Sequence, residues 1–128
     1  MPRTVLVTGA TGFVGGYLLP ALAEAFPDAR LVPASRRSGQ SAAGIDAVRL
    51  DLGQPDEIRA ALAAILPDAI IHLAGIASPR RAALDPAAAR RANRDEAIQF
   101  ADIVRTNLPG ATFAFVSSTA VYSRYAKS

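Results

Sequence analysis

The sequence predicts a doubly wound α/β domain, and three observations predict it. Short apolar, often β-branched runs alternate with longer stretches whose apolar residues recur at helical spacing. The short runs show no polar–apolar alternation, which is expected of strands covered on both faces. The first strand-to-helix passage, "TGATGFVGG", carries Gly9, Gly12 and Gly15 at regular intervals. Strand and helix in turn imply a parallel sheet with right-handed crossovers.

The elements follow in chain order. Thr4 to Thr8 reads as the first buried strand. Phe13 to Phe26 places Phe13, Val14, Leu18, Leu22 and Phe26 at helical spacing and stops at Pro27-Asp28. Pro20 lies inside this helix and is expected to bend it or fray its first turns. Arg30 to Ala34 is the second strand, and "SRRSGQSAAG" after it reads as a loop. Ala47 to Leu50 is the third. "QPDEIRAALAAIL" has a proline and two acids ahead of a periodic apolar run, the signature of a helix start. Asp68 to Leu73 is the fourth strand. Asp85 opens a long helix to about Asn107, with Leu108-Pro109-Gly110 as its stop. Within it, Ala97, Phe100, Ala101 and Val104 form the stripe expected to pack on the sheet. "ATFAFVSS", residues 111–118, is the fifth strand.

At 128 residues the chain is one domain's length, with no internal repeat and no linker. The net charge of +3 raises nucleic-acid binding as a function class. The arginine pairs 36–37, 80–81 and 90–91 are scattered among alanines and acids, with no basic tract interleaved with aromatics, so no nucleic-acid partner is expected. No apolar run has membrane-spanning length, and the N-terminus lacks the pattern of a signal peptide. A cytoplasmic location is the expectation. The absence of cysteine rules out a disulfide frame and thiolate chemistry.

The glycine triplet is the sharpest chemical signal. A helix N-terminus leaves backbone N–H groups unpaired and carries partial positive charge, so it suits a diphosphate that can come close. Gly9 permits the tight turn, Gly12 removes a Cβ where phosphates approach, and Gly15 lets the helix press on the sheet. The other reading, a turn without ligand, is weakened by the strand-then-helix context.

Here the sequence resembles the extended short-chain dehydrogenases/reductases, the NAD-dependent epimerase/dehydratase family, which act largely on nucleotide sugars. "TGATGFVG" resembles the family's cofactor loop and brings Thr11, Phe13 and Val14 into the expected contact set with the glycines. "RLDLGQPDEI" resembles its third strand, whose Asp-Leu pair, here Asp51 and Leu52, lies near adenine. "DAIIHLAGIAS" resembles its fourth, implying Leu73, Ala74 and Gly75 beside the cofactor. Asn93 falls where the family has a helix asparagine, and "FVSSTAVYS" resembles "SSxxVYG". The resemblance covers essentially the whole chain and implies a Rossmann fold of strand order 3-2-1-4-5, truncated after the fifth strand. Residues 1–128 are then the NAD(P)-binding domain, with the substrate domain absent.

The cofactor follows from local chemistry. NAD-selective members carry an acid about 20 residues past the loop. This chain has Ser35, Arg36 and Arg37 there and no carboxylate. Two guanidiniums and a hydroxyl suit a 2′-phosphate. NADP is the expected cofactor, with NAD as the alternative, and an exposed basic turn is the bland reading of the pair.

The resemblance also implies a catalytic set. A family tyrosine, four residues before a lysine on one helix, exchanges the substrate's hydroxyl proton, and a serine bonds the same oxygen. Ser118 matches the serine, four residues before Tyr122 of the "VYG"-like motif. Tyr125, in the terminal "YAKS", resembles the start of the family's "YxxSK", but no lysine stands four residues later. Ser123 replaces the usual glycine. Ala120 stands where dehydratases carry an acid, which favours a reductase or an epimerase. The expected function is hydride transfer on a nucleotide sugar. The alternatives are a non-catalytic dinucleotide-binding module and an inactive fragment lacking the Tyr-x-x-x-Lys pair.

The remaining candidates carry two readings each. His72, the only histidine, has no second histidine or cysteine to complete a metal site and reads as structural. Asp51 either contacts adenine or caps a turn. Asn93 either bonds irregular backbone near the site or faces solvent. In the family the 86–107 helix also contributes to a dimer together with a helix missing here, so a homodimer through it is one expectation and simple packing on the sheet the other.

Overall fold

The computed structural model describes residues 1–37, 39–75 and 79–116. Its elements are β1 (Thr4–Thr8), α1 (Phe13–Ala25), β2 (Arg30–Ser35), β3 (Ser41–Ala42), β4 (Ile45–Asp46), β5 (Val48–Arg49), α2 (Pro55–Ile65), β6 (Ala69–His72), α3 (Pro79–Leu84), α4 (Pro86–Arg90), a π-helical turn (Arg91–Asp95), α5 (Glu96–Asn107) and β7 (Thr112–Phe115). The main sheet has five strands in the order β5-β2-β1-β6-β7, and every pairing in it is parallel. This is the expected 3-2-1-4-5 order.

The central strand explains why its sequence is apolar throughout. Val5 and Val7 of β1 pack with Leu19 and Leu22 of α1 on one face. Leu6 packs on the other face with Ile58 and Leu62 of α2 and with Phe100, Ile103 and Val104 of α5. Each of these aliphatics stabilises the fold by roughly 1.5–3 kcal/mol on burial. Pro33 is tolerated inside β2 because the ladder alternates sides. Its neighbour Ala34 bonds toward β1 through Ala10 N, so Pro33 faces the β5 side. There β5 pairs only from Ala34 onward, and no ladder bond is lost. Asp68, just before β6, accepts from the backbone N–H groups of Arg3 and Thr4 at 2.7 and 2.8 Å, tying the first residues to the sheet. The Thr4 N–H, and then that of Arg3, hold this carboxyl below its ordinary range.

Several elements differ from the sequence expectation. The buried face of α1 is Gly15, Leu19 and Leu22, while Phe13 is 82% and Tyr17 71% exposed. The stripe starts at a glycine, which a count of apolar side chains passes over. Pro20 is accommodated without ending the helix. The expected loop after β2 contains a hairpin, β3–β4, and the third strand of the main sheet shortens to Val48–Arg49. The short helix α3 precedes Asp85, and the long helix is broken by the π turn. Its buried stripe is Ala97, Phe100, Ile103 and Val104, with Ile103 in place of Ala101. β7 is described over Thr112–Phe115, and Phe115 is 52% exposed at the sheet edge.

Two backbone positions yield a stability prediction. Ala43 (φ 51°) and Gly44 (φ 77°) both hold positive φ in the two-residue β3–β4 turn, and Leu66 caps α2 at φ 50°. Such turns favour Asn-Gly, and such caps favour glycine. Ala43→Asn and Leu66→Gly are each expected to raise stability by about 0.5–1 kcal/mol. Chemical denaturation followed by circular dichroism checks this, and an unchanged or lower midpoint counts against it.

Candidate functional site

The expected site residues of the described chain gather at the C-terminal ends of the parallel strands, where open α/β sheets bind ligands. Each glycine of the first loop answers a different steric demand. Gly9 has φ +65°, and a Cβ there would lie 2.6 Å from Ala74 N and 2.8 Å from the Leu73 carbonyl carbon. It therefore serves the turn and also seats the loop after β6. A Cβ on Gly15 would run into the Ala10 backbone, its Cα at 2.8 Å, so this glycine sets how closely α1 approaches the loop. Gly12 is different. Among the described residues a Cβ there would meet only Gly9 O at 3.4 Å, an ordinary contact. The packing of the described residues does not require glycine at this position.

Gly12 is the N-cap of α1, its side makes no capping bond, and the first turn holds no acid. The leading N–H groups of Phe13 and Val14 have no partner within the helix. Gly12 itself is held by N–H donation to Gly9 O at 3.2 Å. Thr11 faces the end of β2, its Oγ1 3.4 Å from Ser35 Oγ. Ser35 is buried, while Arg36 and Arg37 just beyond it are exposed. Neither arginine forms an ion pair among the described residues.

At the exit of β5, Asp51 Oδ1 accepts from Gly53 N at 2.9 Å, so Asp51 does cap a turn. Leu52 sends its side chain into the core. A Cβ on Gly53 would lie 3.0 Å from Glu96 Oε1 and 3.2 Å from Asp51 Oδ1, which places the Glu96 carboxylate, not singled out in the sequence, beside this turn. At the exit of β6, Leu73 N donates to Thr8 O at 3.1 Å. Gly75 has φ +147°, and a Cβ there would lie 2.6 Å from Asn93 Oδ1. Asn93 sits in the π turn and is exposed, with its amide oxygen beside Gly75.

His72 ends β6 and is fully buried. Its Nδ1 is 2.7 Å from Thr8 Oγ1, and its ring lies 5.5 Å from Phe100, 6.1 Å from Phe113 and 5.7 Å from Phe115. Nε2 has no partner among the described residues. Burial pushes its pKa down to about 4, so the ring is neutral near pH 7. Among the described residues no three His, Asp or Glu side chains cluster as a metal site, and no helix is long and apolar enough to cross a membrane. Ser118, Tyr122 and Tyr125 lie outside the described residues.

The five-stranded parallel sheet and the open cradle at its first crossover define a Rossmann-type domain. The model of the NAD dependent epimerase/dehydratase family matches residues 5–128. The chain belongs to that family. It is 32% identical over 127 residues to GDP-6-deoxy-D-mannose reductase of Pseudomonas aeruginosa, covering 99% of this chain and 38% of the reductase. Among solved structures it is similar to UDP-glucose 4-epimerase from Brucella ovis in complex with NAD, with 27% identity, TM-score 0.80, and 94% of this chain and 37% of the epimerase covered. It is also similar to L-threonine 3-dehydrogenase from Trypanosoma brucei, with 26% identity, TM-score 0.77, and 92% and 37% covered. The chain therefore spans less than two fifths of the length of each of these relatives.

Proposed function

We propose that this chain is the NAD(P)-binding part of a nucleotide-sugar reductase or epimerase that works by hydride transfer, with NADP as its preferred cofactor. The observation that carries the reading is that the packing of the described residues leaves room for a Cβ at Gly12, beside the uncapped start of α1. A diphosphate fits there: it meets N–H groups rather than side chains, and the helix field favours its charge. The similarity to a reductase named for GDP-6-deoxy-D-mannose and to a UDP-glucose epimerase supports a nucleotide sugar as substrate.

In this reading Gly12, Phe13 and Val14 hold the diphosphate through the backbone. Ser35, Arg36 and Arg37 hold the 2′-phosphate, and Asp51 borders the adenine. The bound nicotinamide supplies hydride chemistry. Ser118 hydrogen-bonds the reacting sugar oxygen and Tyr125 exchanges its proton, the roles the family resemblance assigns them. The outer side of α5, where Ile98 is half exposed, is the face through which two copies pair.

Calorimetric titration of the chain with NADP and NAD tests the assignment. NADP is expected to bind more tightly. Exchanging Arg36 and Arg37 for alanine is expected to weaken NADP roughly tenfold to a hundredfold, because charged hydrogen bonds at an exposed turn are lost, and to leave NAD nearly unchanged. Tighter binding of NAD by the unaltered chain overturns the NADP assignment. Binding of neither dinucleotide overturns the reading as a whole.

A further inference from the structure

Ser35 Oγ, although buried, is loosely held. Thr11 Oγ1 lies at 3.4 Å, Gln40 Oε1 accepts from it at 3.5 Å, and Arg37 N donates to it at 3.3 Å. All three distances are at the long limit of hydrogen bonding, so this hydroxyl stands among polar groups that do not close on it. Such a cluster has capacity for one more polar ligand atom. It joins three separate pieces of chain: the glycine loop, the arginine turn and the residue that begins the β3–β4 hairpin.

The hairpin explains how Gln40 comes to be there. Ala47 N donates to Gln40 O at 2.8 Å, closing the base of the hairpin. The chain reaches Gln40 through Gly39 at φ +75° and leaves it into β3, so both sides of the residue are fixed. Oε1 faces the Ser35 hydroxyl at 3.5 Å, so the amide nitrogen of the same planar group is the atom farther from it.

We infer that Gln40, set beside Ser35 by the β3–β4 hairpin, is a specificity-determining residue for the adenosine 2′-substituent of the cofactor. This rests on the proposal that the chain binds NADP at the end of β2. The arginines supply charge there from exposed positions. Gln40 supplies a neutral donor from a residue whose backbone the hairpin fixes, and with Ser35 and Thr11 it forms the floor on which the 2′-phosphate sits. A carboxylate at position 40 would face the phosphate instead and repel it, doing from the hairpin what an acid at the end of β2 does in NAD-selective relatives.

The test is the ratio of NADP to NAD affinity in Gln40→Glu. Glutamate keeps length and shape, replaces an N–H donor by an anionic oxygen, and is expected to weaken NADP at least tenfold while NAD stays within about twofold. Gln40→Met, which removes the donors without charge, is expected to weaken NADP several-fold and serves if the glutamate variant does not fold. An unchanged NADP-to-NAD ratio in whichever variant folds overturns the role of Gln40 and leaves the cofactor proposal intact, provided the unaltered chain prefers NADP. If the unaltered chain prefers NAD or binds neither, the cofactor proposal fails and this inference with it.

Discussion

Gly15→Ala and Gly9→Ala are each expected to cost about 3 kcal/mol or more of stability, whereas Gly12→Ala leaves the fold within about 1 kcal/mol of the unaltered chain. The difference lies in what a methyl group meets. At Gly15 it meets the Ala10 backbone, and at Gly9 the backbone of Leu73 and Ala74. Main-chain atoms cannot rotate out of the way as a side chain can, so α1 or the loop after β6 must move and the packing around Leu19 and Leu22 opens. At Gly9 the left-handed φ adds about 1–2 kcal/mol for any L-residue. Against a typical total of about 5–15 kcal/mol, either loss is large. At Gly12 the methyl makes only an ordinary contact with Gly9 O among the described residues, from an extended backbone, φ −78° and ψ −179°. The expected cost there is in binding, at least tenfold in dinucleotide affinity. Denaturation curves and calorimetric titration on the three variants separate the roles. A Gly12→Ala chain that binds normally would remove the diphosphate from this loop.

The second large effect is a loss of stability on mild acidification. In the folded chain His72 has its pKa held at about 4 by burial, against 6.5 for the free side chain. The unfolded chain therefore binds the extra proton first. Between these values it carries more protons than the folded chain, so stability rises with pH across that window. The contribution is complete above about pH 6.5 and is lost progressively toward pH 4. Its size is bounded by the shift, at about 3 kcal/mol. Asp68 acts separately. Its carboxyl is held below 3.8 by the Thr4 and Arg3 N–H groups, so its stabilisation is present above that range and fails only in stronger acid. Urea midpoints at pH 7.5, 6 and 5 should fall steadily. His72→Phe should flatten the fall over that range, whatever it does to absolute stability. A pH-independent midpoint in the unaltered chain would sink the assignment.

Local signals were the ones readable from sequence. The cap of α4 is an example: Asp85, followed by a proline, accepts from Ala88 N at 3.0 Å as its position suggests. The start of α2 at Pro55 and the stop of α5 before Leu108-Pro109-Gly110 are others. The Gly9, Gly12 and Gly15 cradle and the Arg36-Arg37 turn were visible for the same reason, since each is a chemical pattern within a few residues. The β3–β4 hairpin was hidden because Ala43-Gly44 stands where Asn-Gly would advertise a turn. The Thr8–His72 bond joins residues 64 apart, and the contact of Glu96 with the Asp51–Gly53 turn depends on how α5 lies across the sheet. Such pairings arise only on tertiary closure. Gln40 was passed over because its importance comes from the hairpin behind it, not from its own neighbours in the chain.

The π turn at Arg91–Asp95 has a consequence for length variation in this helix. One residue of slack is stored there, so the helical segments on either side are out of phase with each other. Removing a single residue from the turn would restore an uninterrupted α repeat and, because the bulge absorbs the extra residue, would leave the helices on either side on their present faces. Phe100 and Val104 would keep their seats on the sheet, while the approach of Asn93 to Gly75, which the turn itself carries, would be lost. A one-residue deletion here should therefore be far more damaging to the strand-end loops than to the core.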